Sequence, residues 1–306
     1  SGSVVRYGGG GGGAQYTGGS VGSGTDGGGS AGLGGVAGTS NRGGGGGGGQ
    51  SSGSSTGGAG GSGVVILSYP SYLPNALSYS GATFANSGGI KSYTFNTSGT
   101  IAFSAISSPT VISGLVGWYD MTQLTTTQWT DKSGSGNHAT ISGATATSVT
   151  AGNGSTLITN CLAGTTSHTI QWPAAILPST YTLFHVTRTT GGTRARIVTG
   201  SNNNWLSGHW NTGTGIAYHE GWLTDQSDRH GNQWFYSTDQ NSLYRSNGVT
   251  RGTGGGGAST ALSVNYGTYA EYSDWQCAEV LVYPSTLSST DYATIESWLA
   301  YRYGIY

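Results

Sequence analysis

Residues 276–305 read QCAEVLVYPSTLSSTDYATIESWLAYRYGI, and this stretch combines one strand pattern with one helix pattern. Cys277–Tyr283 is an apolar, partly β-branched run of strand length. Both of its alternating faces are apolar apart from Glu279. The pattern therefore predicts a strand that is covered on both sides.

After Pro284 the spacing of the apolar residues becomes helical. Ser288 and Asp291 form a capping box, and Gly304 is placed to end the helix. The apolar residues between them recur every three or four positions: Tyr292, Ile295, Leu299 and Tyr303. Because the rest of the chain has mostly strand-like runs, we expect an all-β fold: an antiparallel β-sandwich, or jelly roll, with one C-terminal helix plugging one end.

Composition limits what the chain can do. Of its 306 residues 59 are glycine and only 8% are charged, and the net charge is −1. This composition offers no basic face for nucleic acid, and no apolar run is long enough to insert in a membrane. Uncharged polar residues replace Lys and Glu, so we expect a soluble protein on the outside of a cell or particle.

The sequence holds two cysteines, Cys161 and Cys277. Two cysteines are too few for a disulfide framework or a zinc site of their own. They are either two buried thiols on core strands or a single bridge. A bridge would close a long loop and stabilise the fold by about 4 kcal/mol in the chain-entropy model.

Residues 1–63 hold about half of the glycines, in runs such as 8–13 and 43–49. Such a segment has almost no side chain to bury. It is therefore either a flexible tether or a set of extended polyglycine helices whose backbones bond directly to one another. In the second case the neighbouring segments belong to the same chain or to other subunits.

Residues 64–110 form a small β connector. Val64–Tyr69 is an apolar strand, and Lys91–Phe95 alternates with Thr100–Phe103 as a hairpin around Ser98-Gly99. The connector follows the glycine-rich tract with GGSGVVILSYP at 60–70 and GGIKSYTFNTSGTIAFS at 88–104. This order resembles the glycine-rich modules of bacteriophage tail and fibre proteins and of large-virus surface proteins. The resemblance implies a stalk or assembly segment on a virion.

Residues 111–306 form the long globular part, for which we expect one antiparallel sandwich of short strands. The predicted strands are Leu115–Tyr119, Thr169–Trp172, Tyr181–Thr187, Arg194–Thr199, Gly215–Tyr218, Gln233–Thr238, Ser242–Arg245, Ala261–Tyr266 and Cys277–Tyr283.

Four ordered motifs in this part resemble a concanavalin A-like lectin/glucanase domain of the laminin G-like type. They are GLVGWYD at 114–120, WTDKSGSGNHAT at 129–140, LYRSNGV at 243–249 and AEVLVYPSTLSSTDYATIESWL at 278–299. The resemblance implies a two-sheet jelly roll whose concave face or edge loops bind sugars or protein ligands, in some members with a calcium ion.

The glucanases of that superfamily carry two or three carboxylates on one strand, as E-x-D-x-x-E or E-x-D-x-E. No such string occurs here. The nearest candidates for an acid pair are Glu271 with Asp274 and Asp225 with Asp228, and neither pair has strand alternation behind it. No nucleophile elbow, that is, a G-x-S-x-G string between a strand and a helix, supports a serine triad either. We therefore expect no enzyme activity.

Residues 201–234 contain four tryptophans, three histidines and many Asn, Asp and Gln. Sugars are bound through this mixture, because a pyranose face stacks on an aromatic ring and its hydroxyls bond to planar polar groups. Trp205, Trp222 and Trp234 are open to a core interpretation. The residues predicted to bind carbohydrate are Trp205, His209, Trp210, Tyr218, His219 and Arg229. We expect all of these except Trp205 to be exposed, since Asn and Gly flank them.

Asp120, Asp131 and Asn137, with Ser133 nearby, could supply oxygen ligands to calcium. The other interpretation of D-x-S-G-x-G-N is a tight turn in which Asp and Asn cap their own backbone. We expect no other cofactor.

The sequence thus predicts a non-enzymatic structural or adhesion protein of a virion or cell surface, in a fibre, tail or capsid. Its partners would be a host-surface glycan and further copies of itself, as a trimer, or other virion proteins. A purely structural subunit that uses the sandwich for self-assembly is the main alternative. A glycan hydrolase is the second.

Overall fold

The computed structural model describes residues 4–16, 19–50, 56–71, 73, 75–103, 107–255 and 261–306. These belong to two units, Ser1–Ser104 and Ala105–Tyr306. The predicted boundary at residues 110 and 111 lies a few residues further along, and the predicted connector falls in the first unit with the glycine-rich segment. Parts of that segment, residues 1–3, 17–18 and 51–55, lie outside the described residues.

We call the described residues between 8 and 63 the glycine bundle. Its segments are joined by backbone amide-to-carbonyl bonds in which both partners advance by three residues, the period of a polyproline II helix. Examples at 2.9–3.2 Å are Gly9 to Asp26 and Gly12 to Gly29, Gly29 to Gly45 and Gly32 to Gly48, and Gly45 to Gly9 and Gly48 to Gly12. This arrangement is the second of the two alternatives for the glycine-rich tract, with the neighbours supplied by the same chain.

Glycine is required inside the bundle because the segments touch through their backbones. A Cβ atom on Gly12 would overlap the carbonyl oxygen of Gly22, and one on Gly29 would overlap that of Val36. A Cβ atom on the adjacent Gly13 would meet nothing within 4 Å. Crowded interior positions and open surface positions therefore lie next to each other in one segment.

The first unit continues with an antiparallel sheet of β1 (Val65–Pro70), β3 (Ile90–Ala102) and β2 (Ser78–Ser87), in that spatial order. The predicted hairpin around Ser98-Gly99 is wrong, because β3 runs straight through these residues. The chain reverses instead at Gly88-Gly89, whose φ angles of 60° and 77° fit a primed two-residue turn.

The second unit is a sandwich of two antiparallel sheets, with strands numbered in chain order. The first sheet contains β4 (Gly117–Asp120), β7 (Thr145–Ser148), β8 (Asn160–Gly164), β10 (Thr182–Thr189), β14 (Phe235–Gln240), β15 (Leu243–Ser246), β16 (Val249–Thr253) and β18 (Trp275–Tyr283). The second contains β5 (Gln128–Trp129), β6 (Ala139–Ser142), β9 (Thr169–Gln171), β11 (Val198–Gly200), β12 (Trp205–Trp210), β13 (Gly213–His219) and β17 (Leu262–Val264).

The order of the first sheet is β16-β15-β14-β10-β18-β8-β7, with β4 also paired to β18, and that of the second is β13-β12-β11-β17-β9-β6-β5. A short 3-10 turn, Pro109–Val111, precedes the sandwich, and helix α1, Ser289–Tyr303, follows it. The predicted all-β fold, an antiparallel sandwich with one C-terminal helix, is confirmed for the described residues.

Strand β18 lies centrally and is buried at all nine positions, as its sequence predicts. Its inner face packs between the sheets, where Trp275, Cys277 and Val280 join the main core. Its outer face, with Leu281 and Tyr283, packs against the helix.

Helix α1 covers the outer face of the first sheet. Ile295 and Leu299 are fully buried there, in one cluster with Phe184 and Leu281 of β10 and β18. The prediction that the helix plugs one end of the sandwich is therefore wrong, and the two sheets and the helix form three layers. In the described part of the chain no helix covers the outer face of the second sheet, and this face holds the candidate site.

The two cysteines are free thiols. Cys277 pairs with Leu162, the neighbour of Cys161, so the two thiols project from opposite faces of the sheet. They belong accordingly to different cores, which excludes the bridge. In the described part of the chain no helix is both long enough and apolar enough to cross a membrane.

Candidate functional site

Three of the residues predicted to bind carbohydrate lie inside the sandwich. Trp205 is 0% exposed, and its indole Nε1 donates to the Tyr181 hydroxyl at 3.0 Å. His219 stacks on the Trp205 ring at 5.4 Å between centroids and lies 3.2 Å from a carboxylate oxygen of Asp239. Burial lowers the pKa of His219, but the charge of Asp239 and the hydrogen bonds to Asp239 and to the Asn241 carbonyl together raise that pKa overall. The core interpretation is correct for Trp205, and the predicted exposure of His219 is wrong.

His209 is also buried, at 1% exposure, although Gly208 precedes it and an Asn follows shortly after. Strand alternation decides its position, because β12 directs Trp205, Ser207 and His209 inward. The ring packs against Phe235 with the centroids 4.9 Å apart. Burial holds the pKa of His209 well below its ordinary value. Its predicted exposure is wrong, so it cannot contact a ligand outside the sandwich.

Trp210 and Tyr218 lie on the opposite, outer face of the same hairpin. Asn211, with a left-handed φ of 53°, closes the turn between β12 and β13. Tyr218 pairs with Leu206, and Trp210 with Gly213, so both aromatic side chains leave the sheet on its outer side. The hairpin therefore brings together two of the residues that the sequence predicts to bind carbohydrate.

Trp222 joins these two rings into one surface, which we call the aromatic strip (Trp210, Tyr218, Trp222). The Trp222 ring lies 5.2 Å from that of Trp210 and 5.1 Å from that of Tyr218. The interplanar angles are 63° and 74°. Trp222 is 41% exposed, a large value for a bulky aromatic side chain. The core interpretation of Trp222 is therefore wrong.

A chain of polar contacts borders the strip, which we call the polar border (Glu271, Arg196, Asn204, Glu220). The Trp210 indole Nε1 donates to Glu271 Oε2 at 3.1 Å, and Arg196 Nε donates to the same oxygen at 2.6 Å. Arg196 Nη2 donates to Asn204 Oδ1 at 2.8 Å. The backbone N–H of Asn204 donates to Glu220 Oε1 at 2.7 Å, and Glu220 lies two residues before Trp222. The series of contacts therefore begins at Trp210 and ends beside Trp222, two members of the strip.

Contacts within the protein hold the groups of the border in place. The Arg196 side chain is only 5% exposed and lies over the Tyr269 ring at 4.7 Å, so its guanidinium acts as a buried clamp. The Glu271 side chain is 44% exposed, and Glu220 is exposed. The site therefore presents aromatic rings and oriented carboxylates to the surroundings, while its cation stays underneath.

Sequence reasoning missed most of the border. The sequence predicts Glu271 only as a candidate hydrolytic acid, and it predicts no site role for Arg196. Glu271 is 61 positions from Trp210 and 75 from Arg196, and no local pattern links residues so far apart.

Arg229 lies apart from the strip. Its guanidinium donates to Asp225 at 2.7 Å and to the Gly215 carbonyl at 3.0 Å, which ties down the loop after β13. The predicted acid pairs are likewise held by separate partners: Asp228 by Arg194, and Asp274 by the backbone amides of Thr166 and Thr193.

The predicted calcium ligands are committed to other partners. Asp131 accepts from the amides of Trp118, Ser133 and Asn137, so both carboxylate oxygens cap the turn, as in the second interpretation. Asp120 instead lies under helix α1, with Lys132 Nζ at 2.7 Å and Arg302 Nη2 at 2.8 Å. The Asn137 side-chain amide donates to the Val116 carbonyl. These contacts give the calcium prediction no support, and in the described residues no group of three or more His, Cys, Asp or Glu side chains could hold a metal ion.

Glu279 is the polar exception in the β18 pattern. It forms a buried ion cluster with Asp120, Lys132 and Arg302. Its carboxylate accepts from the Trp118 indole at 2.6 Å and lies 3.1 Å from Arg302 Nε. Burial raises the pKa of Glu279 to about 7, against the opposing effect of Arg302. The cluster anchors the end of the helix on the sheet opposite to the aromatic strip.

No protein-family model and no curated protein matches the sequence. Among solved structures, the chain is similar to domain 4 of AbnA, a GH43 extracellular arabinanase from Geobacillus stearothermophilus, in complex with arabinotriose. That similarity has a TM-score of 0.46 and 15% identity, over 60% of this chain and 98% of that one.

The chain is also similar to Trypanosoma rangeli sialidase in complex with sialic acid, with a TM-score of 0.46 and 11% identity over 75% of this chain and 44% of that one. The binding domain of Paraclostridial Mosquitocidal Protein 1 gives a TM-score of 0.39 and 12% identity, over 60% of this chain and 52% of that one.

Proposed function

We propose that this chain is a non-enzymatic surface protein whose sandwich binds carbohydrate at the aromatic strip. The observation that carries the proposal is the exposed Trp222 ring, held in contact with Trp210 and Tyr218 beside a prearranged polar border. An exposed tryptophan supported by two further rings has no packing role to fill. It offers instead an apolar face of the size of a sugar ring.

The polar border supports a sugar ligand in particular. Sugar hydroxyls need hydrogen-bond acceptors in fixed positions, and Glu220 and Glu271 are each held by bonds to the protein. Because these contacts already orient the two carboxylates, binding would cost little ordering of side chains. The motif resemblance to laminin G-like domains agrees with a recognition role for the sandwich.

We extend the proposal to the whole chain as follows. The glycine bundle serves attachment or assembly, and the sandwich is displayed outward on a virion fibre, tail or capsid, or on a cell surface. The partners would be a host-surface glycan and further copies of the chain, as a trimer. A non-enzymatic role fits the acid pairs, whose members are held by separate partners.

The test is a glycan array probed with the full chain and with Trp222→Ala. We expect a restricted set of glycans to bind, and we expect Trp222→Ala to weaken binding by at least about tenfold, since base- or sugar-sized stacking on an aromatic ring contributes roughly 1–3 kcal/mol. The matched control is Tyr301→Ala, which removes an aromatic ring that is 52% exposed on helix α1. The control should bind as the original protein does.

Silence across the array at high protein concentration would contradict carbohydrate binding. The strip would then be better explained as a contact between subunits, the structural alternative. Equal loss in Trp222→Ala and Tyr301→Ala would also contradict the proposal, because the effect would not be specific to the strip.

A further inference from the structure

We propose that the strip selects saccharides that carry a cationic amino group, such as unacetylated glucosamine units, over neutral N-acetylated and acidic ones. This inference rests on the proposed carbohydrate function and adds the charge of the ligand. It follows from the charges, the free oxygens and the ring angles of the site.

The accessible charge at the strip is negative. Glu220 is exposed and the Glu271 side chain is 44% exposed, whereas the Arg196 side chain is 5% exposed. The charge of Arg196 is already offset by Glu271 at 2.6 Å. A ligand on the strip therefore meets one uncompensated carboxylate, Glu220, and the outer side of a second.

The other nearby cation is also paired. Arg194 Nη2 donates to the Thr212 carbonyl in the β12–β13 turn and lies 3.3 Å from Asp228. It therefore adds no free positive charge to the strip at the Trp210 end. An acidic sugar would meet repulsion from the two glutamates without a cation to bind it.

Each glutamate keeps one oxygen for a ligand. Both protein bonds to Glu271 end on Oε2, and the one to Glu220 ends on Oε1. Oε1 of Glu271 and Oε2 of Glu220 accept no hydrogen bond from the described residues. An ammonium group has three donors and no acceptor, which suits two free carboxylate oxygens better than a hydroxyl does.

The rings favour a cation for a separate reason. At interplanar angles of 63° and 74°, Trp222 stands steeply against Trp210 and Tyr218, and the three rings enclose a corner rather than one flat surface. Ring faces carry negative electrostatic potential, and tryptophan attracts a cation most strongly of the aromatic side chains. A protonated amine in this corner is attracted by the rings and by the carboxylates together.

The experiment compares three tetrasaccharides by isothermal titration calorimetry with the full chain: a glucosamine oligomer, its N-acetylated counterpart and a galacturonate oligomer. The titrations are made at about pH 5.5, where an aliphatic amine is protonated. We expect the glucosamine oligomer to bind about tenfold more tightly than the other two. The preference should shrink several-fold in about 1 M salt, where the Debye length is roughly 3 Å.

Glu220→Gln tests the charge directly, because the side-chain oxygen of the substituted residue can still accept from the backbone N–H of Asn204. We expect it to remove most of the preference for the glucosamine oligomer over the N-acetylated one. Asp26→Asn, which changes the net charge equally in the glycine bundle, is the matched control and should keep the preference.

Equal or tighter binding of the N-acetylated or galacturonate oligomer would overturn the inference while leaving the carbohydrate function intact. So would a preference unchanged in Glu220→Gln. If no oligomer binds and the glycan array is silent as well, the carbohydrate function itself fails.

Discussion

The glycine bundle and the β-sandwich are stabilised by opposite means. In the described residues of the bundle, Ala31 is the single buried hydrophobic residue, and segments meet through backbone hydrogen bonds. In the sandwich, bulky side chains such as Trp129, Trp205 and Trp275 fill the space between two sheets and are 0% exposed. The first region depends on the absence of side chains, and the second depends on their volume.

This difference predicts opposite responses to mutation. A backbone-packed region has no room for an added methyl group but loses nothing when surface side chains change. A side-chain core loses both transfer free energy and packing when atoms are removed. Each region can therefore be destabilised by a change that the other would tolerate.

The largest effect is expected for Trp275→Ala in the sandwich. Removal of this fully buried side chain should lower the free energy of unfolding by about 3–5 kcal/mol. Denaturant unfolding followed by tryptophan fluorescence measures it for the sandwich alone, because all nine tryptophans lie between residues 118 and 298. Tyr301→Ala is the exposed control, and a similar loss in both variants would disprove the packing argument.

A somewhat smaller effect is expected in the bundle for Gly12→Ala, where the added Cβ would overlap the Gly22 carbonyl oxygen. Forced movement of a packed segment costs about 1–3 kcal/mol or more. Hydrogen–deuterium exchange should show lost protection at amides that bond across the bundle, such as Gly29 and Gly48.

Gly13→Ala is the matched control, one residue along the same segment, where a Cβ meets nothing within 4 Å and φ is not left-handed. It should leave exchange unchanged. Equal exchange in the two variants would mean that the bundle is not packed through its backbone.

Acid should lower the free energy of unfolding of the sandwich and leave that of the bundle unchanged. All six histidines lie in the sandwich. Burial lowers the pKa of His185 to about 3, and burial with the charges of Arg251 and Arg229 lowers that of His230 to about 4, from 6.5. His209 shifts in the same direction, so these three groups take up protons on unfolding as pH falls below 6.5.

Glu279 opposes them, since its pKa is raised from 4.5 to about 7 and its protonation favours the fold over that range. His219, whose pKa is raised, contributes stability that is complete below 6.5 and is lost at higher pH. With three groups against one, the sandwich should lose stability from about pH 6.5 to 4.5, while exchange protection in the bundle stays constant. Constant or rising stability of the sandwich in this window would contradict the assignment of neutral buried histidines.

The fold was largely predictable where side chains repeat with a clear period. The burial of β18 and the span of α1 follow from the apolar spacing of residues 277–303, and Ser288 caps the helix as predicted. The helix was placed wrongly because its apolar face fits either an end or a face of a sandwich. The hairpin was assigned to Ser98-Gly99 because composition alone does not separate that pair from Gly88-Gly89.

The site was predictable only within one hairpin. Trp210 and Tyr218 come from a single polar and aromatic stretch, but flanking Asn and Gly gave a misleading signal for His209, which strand alternation turns inward. Glu271 and Arg196 reach the site through pairing of strands and loops distant in sequence. Tertiary pairing of that kind leaves no periodic trace in the sequence.

Ligand recognition by the sandwich through the aromatic strip can be measured by NMR. The signals of the nine indole N–H groups are followed while the protein is titrated with a sugar selected on the array. We expect the signals of Trp222 and of Trp210, whose indole N–H donates to Glu271, to shift, and those of buried Trp129 and Trp275 to stay unchanged. Binding that moves other indole signals and leaves Trp210 and Trp222 in place would contradict recognition through the strip.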